Sequence, residues 1–323
     1  MTACFAPGVE GLLAPLQDFL DDESVSEILI NRSQEVFVER ADAMLRIEMP
    51  ALTSLYLRRL FLLIANENKQ TLSDTMPLLS GNLPDGSRVQ LVIPSASKYE
   101  TLSIRKFTLK HLSFEDYENT GFFNSSTHIN KEDSLLELYH NKQWPFFLKE
   151  AILAKKNILI SGATTSGKTT FLNSCARLIP IHERLITLED TFEIKVPHAN
   201  CVNLKAVKPI GEASPSVTMQ DLVQASCRLR PDRILMGEIR GREVFDFVSA
   251  CLTGHNGMLA TIHAADSKTA FMRMAQLYKL NNVSGMSEAD IYQVLHQVID
   301  VVVQLEKTDE GRRLTEVYYK AAA

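Results

Sequence analysis

The sequence predicts an α/β chain in two parts, a smaller α+β unit followed by a larger domain on a parallel sheet, and three observations carry that prediction. The chain has 323 residues, beyond the size at which a single core keeps growing. From residue 157 to residue 298, apolar strand segments alternate with helical ones, the order that builds a parallel sheet. Between the first of those strands and the next helix stands Gly162-Ala-Thr-Thr-Ser-Gly-Lys-Thr169, a glycine loop in the strand-loop-helix setting that a phosphate cradle requires.

Composition narrows the classes of function. Hydrophobic residues make up 45% and charged residues 23% of the chain, as in ordinary globular proteins, so disorder is not expected. A net charge of −5 argues against a surface that holds duplex nucleic acid through its phosphates, and no sequence-specific nucleic-acid binding is expected. Cys4, Cys175, Cys201, Cys227 and Cys251 are scattered, which suits free thiols in a reducing compartment and neither a zinc site nor a thiol redox motif. No apolar run approaches the ~20 residues of a membrane span, and the first ten residues carry no secretory pattern. A cytoplasmic chain is the expectation. Residues 321–323 read as an appended tail outside the fold.

Residues 1–110 form the first unit. A short amphipathic helix is expected over 12–20, a hairpin over 27–39 around Asn31-Arg32-Ser33, and a helix over 52–65. Three strands follow at 78–82, 88–93 and 101–105, separated by Pro84-Asp85-Gly86 and Pro94-Ser95 turns. Arg88 and Arg105 stand in these strands beside apolar neighbours, either as exposed sheet arginines or as ligand contacts. The polar span 111–144 reads as an interdomain linker, because a connection of that length is uncommon within a compact domain.

The second unit, 145–323, carries the chemistry. A helix over 148–154 leads to a strand over 157–160, the glycine loop, and a helix over 169–178. Gly162 and Gly167 let the backbone curl until several amides face one point. The helix behind the loop adds its positive end. Lys168 would neutralise phosphate oxygens, and the Thr169 hydroxyl is placed for Mg²⁺. A strand at 184–188 delivers Glu189 and Asp190, and one at 233–236 delivers Glu238. Carboxylates just past parallel strands stand at the edge where α/β folds bind ligands. There they would hold an ion's hydration shell or orient a water. Gly254-His255-Asn256-Gly257 precedes a strand at 258–262 that ends in His263, whose neutral ring would sense a phosphate; Thr261 would assist it. Helices are expected at 218–229, opened by a Thr218/Asp221 cap, and at 242–252, 268–280 and 289–298. A closing hairpin spans 301–305 and 314–318 around Asp309-Glu310-Gly311.

Taken in order, these motifs resemble a known family. The glycine loop, Ile-Thr-Leu-Glu-Asp-Thr-Phe-Glu-Ile (186–194), Leu-Arg-Pro-Asp-Arg-Ile-Leu-Met-Gly-Glu-Ile-Arg-Gly (229–241) and Thr-Gly-His-Asn-Gly-Met-Leu-Ala-Thr-Ile-His-Ala (253–264) look like the Walker A, Asp box, Walker B and His box of the secretion traffic ATPases. The segment Glu-Ile-Leu-Ile-Asn-Arg-Ser-Gln-Glu-Val-Phe-Val-Glu (27–39) and the short chain resemble the type IV secretion and conjugation branch. That resemblance implies a RecA-like P-loop domain behind a PAS-like amino-terminal domain, assembled as a homohexamer. It implies hydrolysis of ATP with Mg²⁺, peripheral contact with the inner membrane, and inner-membrane channel components and a coupling ATPase as partners.

Carried over position by position, the resemblance gives Glu238, Glu189, Lys168 and His263 catalytic roles. It gives Gly162, Thr164, Thr165, Ser166, Gly167, Lys168, Thr169, Thr170, Arg88, Arg105 and His255 to nucleotide binding, and Thr169, Glu189 and Asp190 to the metal. Thr165 departs from the family, where many members have glycine. Pilus and type II secretion motors are the alternative reading, although type II members usually carry a four-cysteine zinc insert that this sequence lacks. A nucleotide-gated scaffold without turnover and a DNA recombinase fit the acidic residues and the net charge less well.

Overall fold

In the computed structural model, which describes residues 8–41, 43–107, 113–119, 123, 131–208 and 216–323, two β-sheets organise the chain. The first holds β1 (Val25–Ile30), β2 (Glu35–Arg40), β3 (Ala43–Glu48), β4 (Leu78–Asn82), β5 (Arg88–Val92) and β6 (Thr101–Arg105). Its order is β3-β2-β1-β6-β5-β4 and every pairing is antiparallel. Helices α1 (Val9–Leu13), α2 (Gln17–Asp21) and α3 (Ser54–Glu67) accompany it. Leu57, Leu60, Phe61 and Ile64 recur at helical spacing along α3 and pack with Leu16, Ile28, Val38 and Ile104. Each such side chain contributes about 1.5–3 kcal/mol of burial. Thr53 opens α3 by accepting from the Tyr56 amide at 3.2 Å. The single helix expected over 12–20 is interrupted, because Pro15 has no N–H to continue the ladder and opens a 3₁₀ turn instead. Strand β3 was not expected: most of its side chains are exposed, so no buried face imposed an alternating pattern.

Between the sheets lie α4 (Phe114–Asn119), α5 (Lys131–His140) and α6 (Trp144–Leu153). The span read as a linker therefore contains helices, and α5 is docked on the second unit. Leu135 is buried, the Tyr139 ring lies 5.7 Å from Phe147 and 5.7 Å from Tyr319, and its hydroxyl donates to the Val317 carbonyl at 3.0 Å. The rest of that span, at 111–112, 120–122 and 124–130, lies outside the described residues, as does Cys4. The tail left out of the fold is part of it. Lys320–Ala322 makes a short 3₁₀ turn, and Ala322 packs on the core beside α5.

The second sheet holds β7 (Ile158–Gly162), β8 (Leu185–Glu189), β9 (Cys201–Lys205), β10 (Arg233–Met236), β11 (Leu259–Ile262), β12 (Val301–Thr308) and β13 (Gly311–Tyr319). The order is β13-β12-β7-β11-β10-β8-β9, parallel throughout except for β13. Helices α7 (Lys168–Ala176), α8 (Met219–Ser226), α9 (Glu243–Leu252), α10 (Ser267–Lys279) and α11 (Glu288–Val298) complete it. Alternate strand residues feed two cores. Leu159, Ile186, Met236 and Ala260 meet α8 to α11 on one face, while Ile158, Ile160, Leu235 and Leu259 meet α6 and α7 on the other. Thr218 with Asp221 and Ser287 with Asp290 form capping boxes.

The contact between the two units is mixed: Leu78, Val92 and Ala96 of the first join the apolar core of the second, with a polar network beside them. Arg184, fully buried, donates through Nη1 to Asn31 Oδ1 at 2.6 Å and to Asn200 Oδ1, and through Nε to the Leu229 carbonyl at 2.8 Å. Burial pulls its pKa down to about 10. Beside it the loop after β5 pairs with β9, through Lys205 N to Ala96 O at 2.8 Å and Lys98 N to Asn203 O at 3.0 Å. The first unit is thus fixed to the amino ends of β8 and β10, leaving their carboxyl ends to the site.

Candidate nucleotide site

Parallel strands present all their carboxyl ends on one edge, and the motif residues collect there. Gly162 ends β7, Glu189 ends β8, Glu238 follows β10 and His263 follows β11. Gly162 is buried, and a Cβ at this position would overlap the backbone carbonyl oxygen of Leu305 on β12. Gly162→Ala should therefore cost about 2–4 kcal/mol of unfolding free energy, since two paired strands cannot both shift. Urea unfolding checks this; a loss under about 1 kcal/mol would mean that the strands yield. Thr165 holds a left-handed backbone, φ 67°, at a cost of about 1–2 kcal/mol that glycine would avoid. Gly167 follows at φ 94° and opens α7. Thr164, Thr165 and Thr170 are exposed, Thr169 is half-buried, and the Ser166 hydroxyl is buried without a partner among the described residues.

Lys168 is buried at the base of the loop. Its ammonium donates to the carbonyls of Gly162 at 2.8 Å and Ala163 at 2.9 Å, and lies 3.2 Å from His263 Nδ1. Burial holds its pKa below the ordinary lysine value, Glu238 opposing that shift and Arg240 adding to it. An ammonium only donates, so Nδ1 accepts and the imidazole proton sits on Nε2, 3.3 Å from Glu238 Oε1. One imidazole thus spans the loop lysine and the β10 carboxylate.

The other oxygen of Glu238 is held by a residue that sequence reasoning missed. Arg240 donates through Nη2 to Glu238 Oε2 at 2.6 Å and through Nη1 to Asp190 Oδ2 at 2.7 Å. Glu243 shapes the turn beneath, accepting from the amides of Arg240 at 2.5 Å and Gly241 at 2.7 Å. Gln304 was missed as well; from β12 it donates to the Ala265 carbonyl at 2.8 Å and anchors the segment behind His263. The Thr261 hydroxyl donates to the Gly237 carbonyl at 2.6 Å.

Glu189, expected to serve catalysis and the metal, lies inside the strand end. It is 2% exposed. Oε1 accepts from the amides of Glu193 at 2.7 Å and Ile194 at 2.6 Å, and Oε2 from the Thr187 hydroxyl at 3.2 Å. Burial raises its pKa against these hydrogen bonds. Oε1 thus braces the loop after β8 and Oε2 turns back onto the strand, while Asp190 reaches the site through Arg240. Among the described residues no cluster of three acidic, histidine or cysteine side chains makes a metal cage. The donors present, a Thr169 hydroxyl and one carboxylate, fit a Mg²⁺ whose remaining ligands are phosphate oxygens and water.

Arg88, Arg105 and His255 lie elsewhere. They line a cavity of about 600 Å³ together with Glu27, Arg228 and Arg230, and no residue of the glycine loop reaches it. The reason is topological. His255 precedes β11 and Arg230 precedes β10, so this cavity lies at the amino edge of the sheet, a strand's length from Lys168. Glu27 lines this cavity; its Oε1 meets Arg105 Nε at 3.1 Å, and its buried Oε2 has no partner among the described residues. Burial raises this carboxyl to about 7 from 4.5, with Arg105 opposing. A raised carboxyl holds its proton in the folded chain over a window where the unfolded chain has released it. Stability should accordingly fall as pH rises from 4.5 to about 7, by up to about 3 kcal/mol. Glu27→Gln should flatten that slope in urea unfolding at pH 5 and pH 7.5; an unchanged slope would assign it to other groups.

With this geometry in hand, comparison with known proteins is direct. Residues 11–315 match the family described as Type II/IV secretion system protein. The Type IV secretion system protein VirB11 of Bartonella quintana is 37% identical over 326 residues, covering 95% of this chain and 91% of that one. VirB11 of Brucella suis is 36% identical over 328 residues, 97% of this chain and 91% of that one. The crystal structure of the VirB11 ATPase from the Brucella suis type IV secretion system, in complex with sulphate, matches with a TM-score of 0.89 at 33% identity, over 97% of this chain and 98% of that one.

Proposed function

The chain belongs to the Type II/IV secretion system protein family and is a type IV secretion ATPase by its likeness to VirB11; from that premise we propose how its own residues hydrolyse Mg-ATP and in what assembly. The observation that carries the proposal is the chain of contacts Lys168–His263–Glu238–Arg240–Asp190 at the carboxyl edge of the sheet. The triphosphate lies over the 162–169 loop, and Lys168 exchanges the carbonyls of Gly162 and Ala163 for phosphate oxygens. Glu238 receives the proton of the attacking water. His263 stands between lysine and carboxylate, so the arrival or loss of the terminal phosphate redirects its hydrogen bonds. Thr169 and Asp190 would hold Mg²⁺, which would supply neutralisation of the charge developing on the phosphates.

The assembly is a homohexamer on the cytoplasmic face of the inner membrane, bound to channel components and the coupling ATPase of the secretion apparatus. Among the described residues no helix is long and apolar enough to cross a membrane, which suits attachment through partners. Arg88, Arg105 and His255 are presented away from their own glycine loop. In a ring they would be offered to the nucleotide of a neighbouring subunit. Light scattering with and without Mg²⁺ and a non-hydrolysable ATP analogue, combined with a phosphate-release assay, tests both parts. Six-subunit particles with turnover are expected; a monomer at working concentration would remove the ring, and absent turnover would remove the motor.

A further inference from the structure

The closing hairpin is longer than its sequence pattern suggests, and the added residues bring Arg312 onto the glycine loop. Strand β12 runs to Thr308 and β13 starts at Gly311, so Arg312 pairs with Lys307 near the hairpin tip. Its Nε donates to the Thr165 carbonyl at 3.2 Å. Its stem lies against Gly167, where an added Cβ would come within 2.8 Å of Arg312 Cδ. Among the described residues no carboxylate pairs with it. An exposed guanidinium with its faces and outer N–H groups uncommitted thus stands at the rim of the loop.

Sheet order fixes which part of a nucleotide meets it. Asp190, Glu238 and His263 follow β8, β10 and β11, all on one side of β7, whereas β12 and β13 lie on the other. The terminal phosphate belongs beside Glu238 and His263, so the phosphate chain leads from there across the loop and the ribose and base emerge on the hairpin side. Resting on the reading that ATP occupies this loop, we propose that Arg312 is the base-side contact of the site, its guanidinium plane stacked on the purine while Nε holds the Thr165 carbonyl. A planar, weakly hydrated cation is suited to an aromatic face, where the compact ammonium of lysine is less so.

The test compares two ligands on full-length protein, Mg-ADP and inorganic tripolyphosphate, by calorimetry. Arg312→Ala should weaken Mg-ADP about tenfold and leave tripolyphosphate within about twofold. Arg312→Lys, which keeps the charge and loses the plane, should recover less than half of that loss. In steady-state assays the KM for ATP should rise more than kcat falls. Equal weakening of both ligands would overturn the proposal, because Arg312 would then act on the phosphates or on loop shape; no change in either would overturn it too. Wild-type protein that binds neither ligand would sink the nucleotide reading itself, and this proposal with it.

Discussion

Replacing Lys168 with alanine should abolish measurable ATP turnover and leave the protein folded. The side chain makes no contact that the core needs. Its three partners are two carbonyls of its own loop and one nitrogen of His263, and the helix it opens is anchored by Leu172, Cys175 and Ala176. What alanine removes is a buried positive charge aimed where negative charge accumulates as the terminal phosphate departs. Preorganised groups of that kind are worth about a hundred- to a thousandfold in rate each. Here the loss should be at the upper end, since the same substitution frees His263 Nδ1 from its donor and with it the hydrogen bond to Glu238. Phosphate release and circular dichroism measured on one preparation check it. A folded variant turning over ATP near the wild-type rate would end the nucleotide reading.

How much of this was legible in the sequence depends on how far apart the cooperating residues lie. The glycine loop is local: its curl, its lysine and its hydroxyl follow from eight consecutive residues, and Glu238 and His263 could be placed because an apolar run precedes each. Strand β9 was equally readable in retrospect, with Val202 and Leu204 inward and their neighbours half-exposed, but five alternating residues in a long loop are a weak signal. Arg312 was beyond reach. It is 147 residues from the Thr165 carbonyl it holds, and nothing near it marks its role. Arg184, read as the start of a strand, is instead the buried pin between the two units, because its partner Asn31 lies 153 residues away. Glu189 and Arg88 show what residue type leaves open: one oxygen of the first accepts from the loop after β8 and the other from Thr187 on its own strand, and the second stands at the far edge of the sheet from its own glycine loop. Motif matching identifies which residues matter, and only the pairing of strands decides which of them can meet.

Glu238→Gln separates chemistry from binding. The amide is isosteric with the carboxylate and keeps an oxygen for Arg240 Nη2 or for His263 Nε2, so the site should retain its shape and its Mg-ATP affinity. It cannot take a proton from water. Loss of a positioned base typically costs about 10²–10⁴ in rate, and kcat should fall by that much with KM nearly unchanged, the pattern of an interaction made only in the transition state. Arg240→Ala discriminates between two explanations of the same loss. If Glu238 acts only by holding Arg240 over Asp190, both variants should be equally slow. If Glu238 is the base, Arg240→Ala should be milder than Glu238→Gln. Arg240 engages Glu238 through Oε2 alone, at 2.6 Å, and Asp190 at 2.7 Å, so in the proposed reaction Oε1 is the oxygen that would take the proton. A triphosphate seated beside Lys168 would compete for the same guanidinium, and Arg240→Ala should then alter KM for ATP as well as kcat.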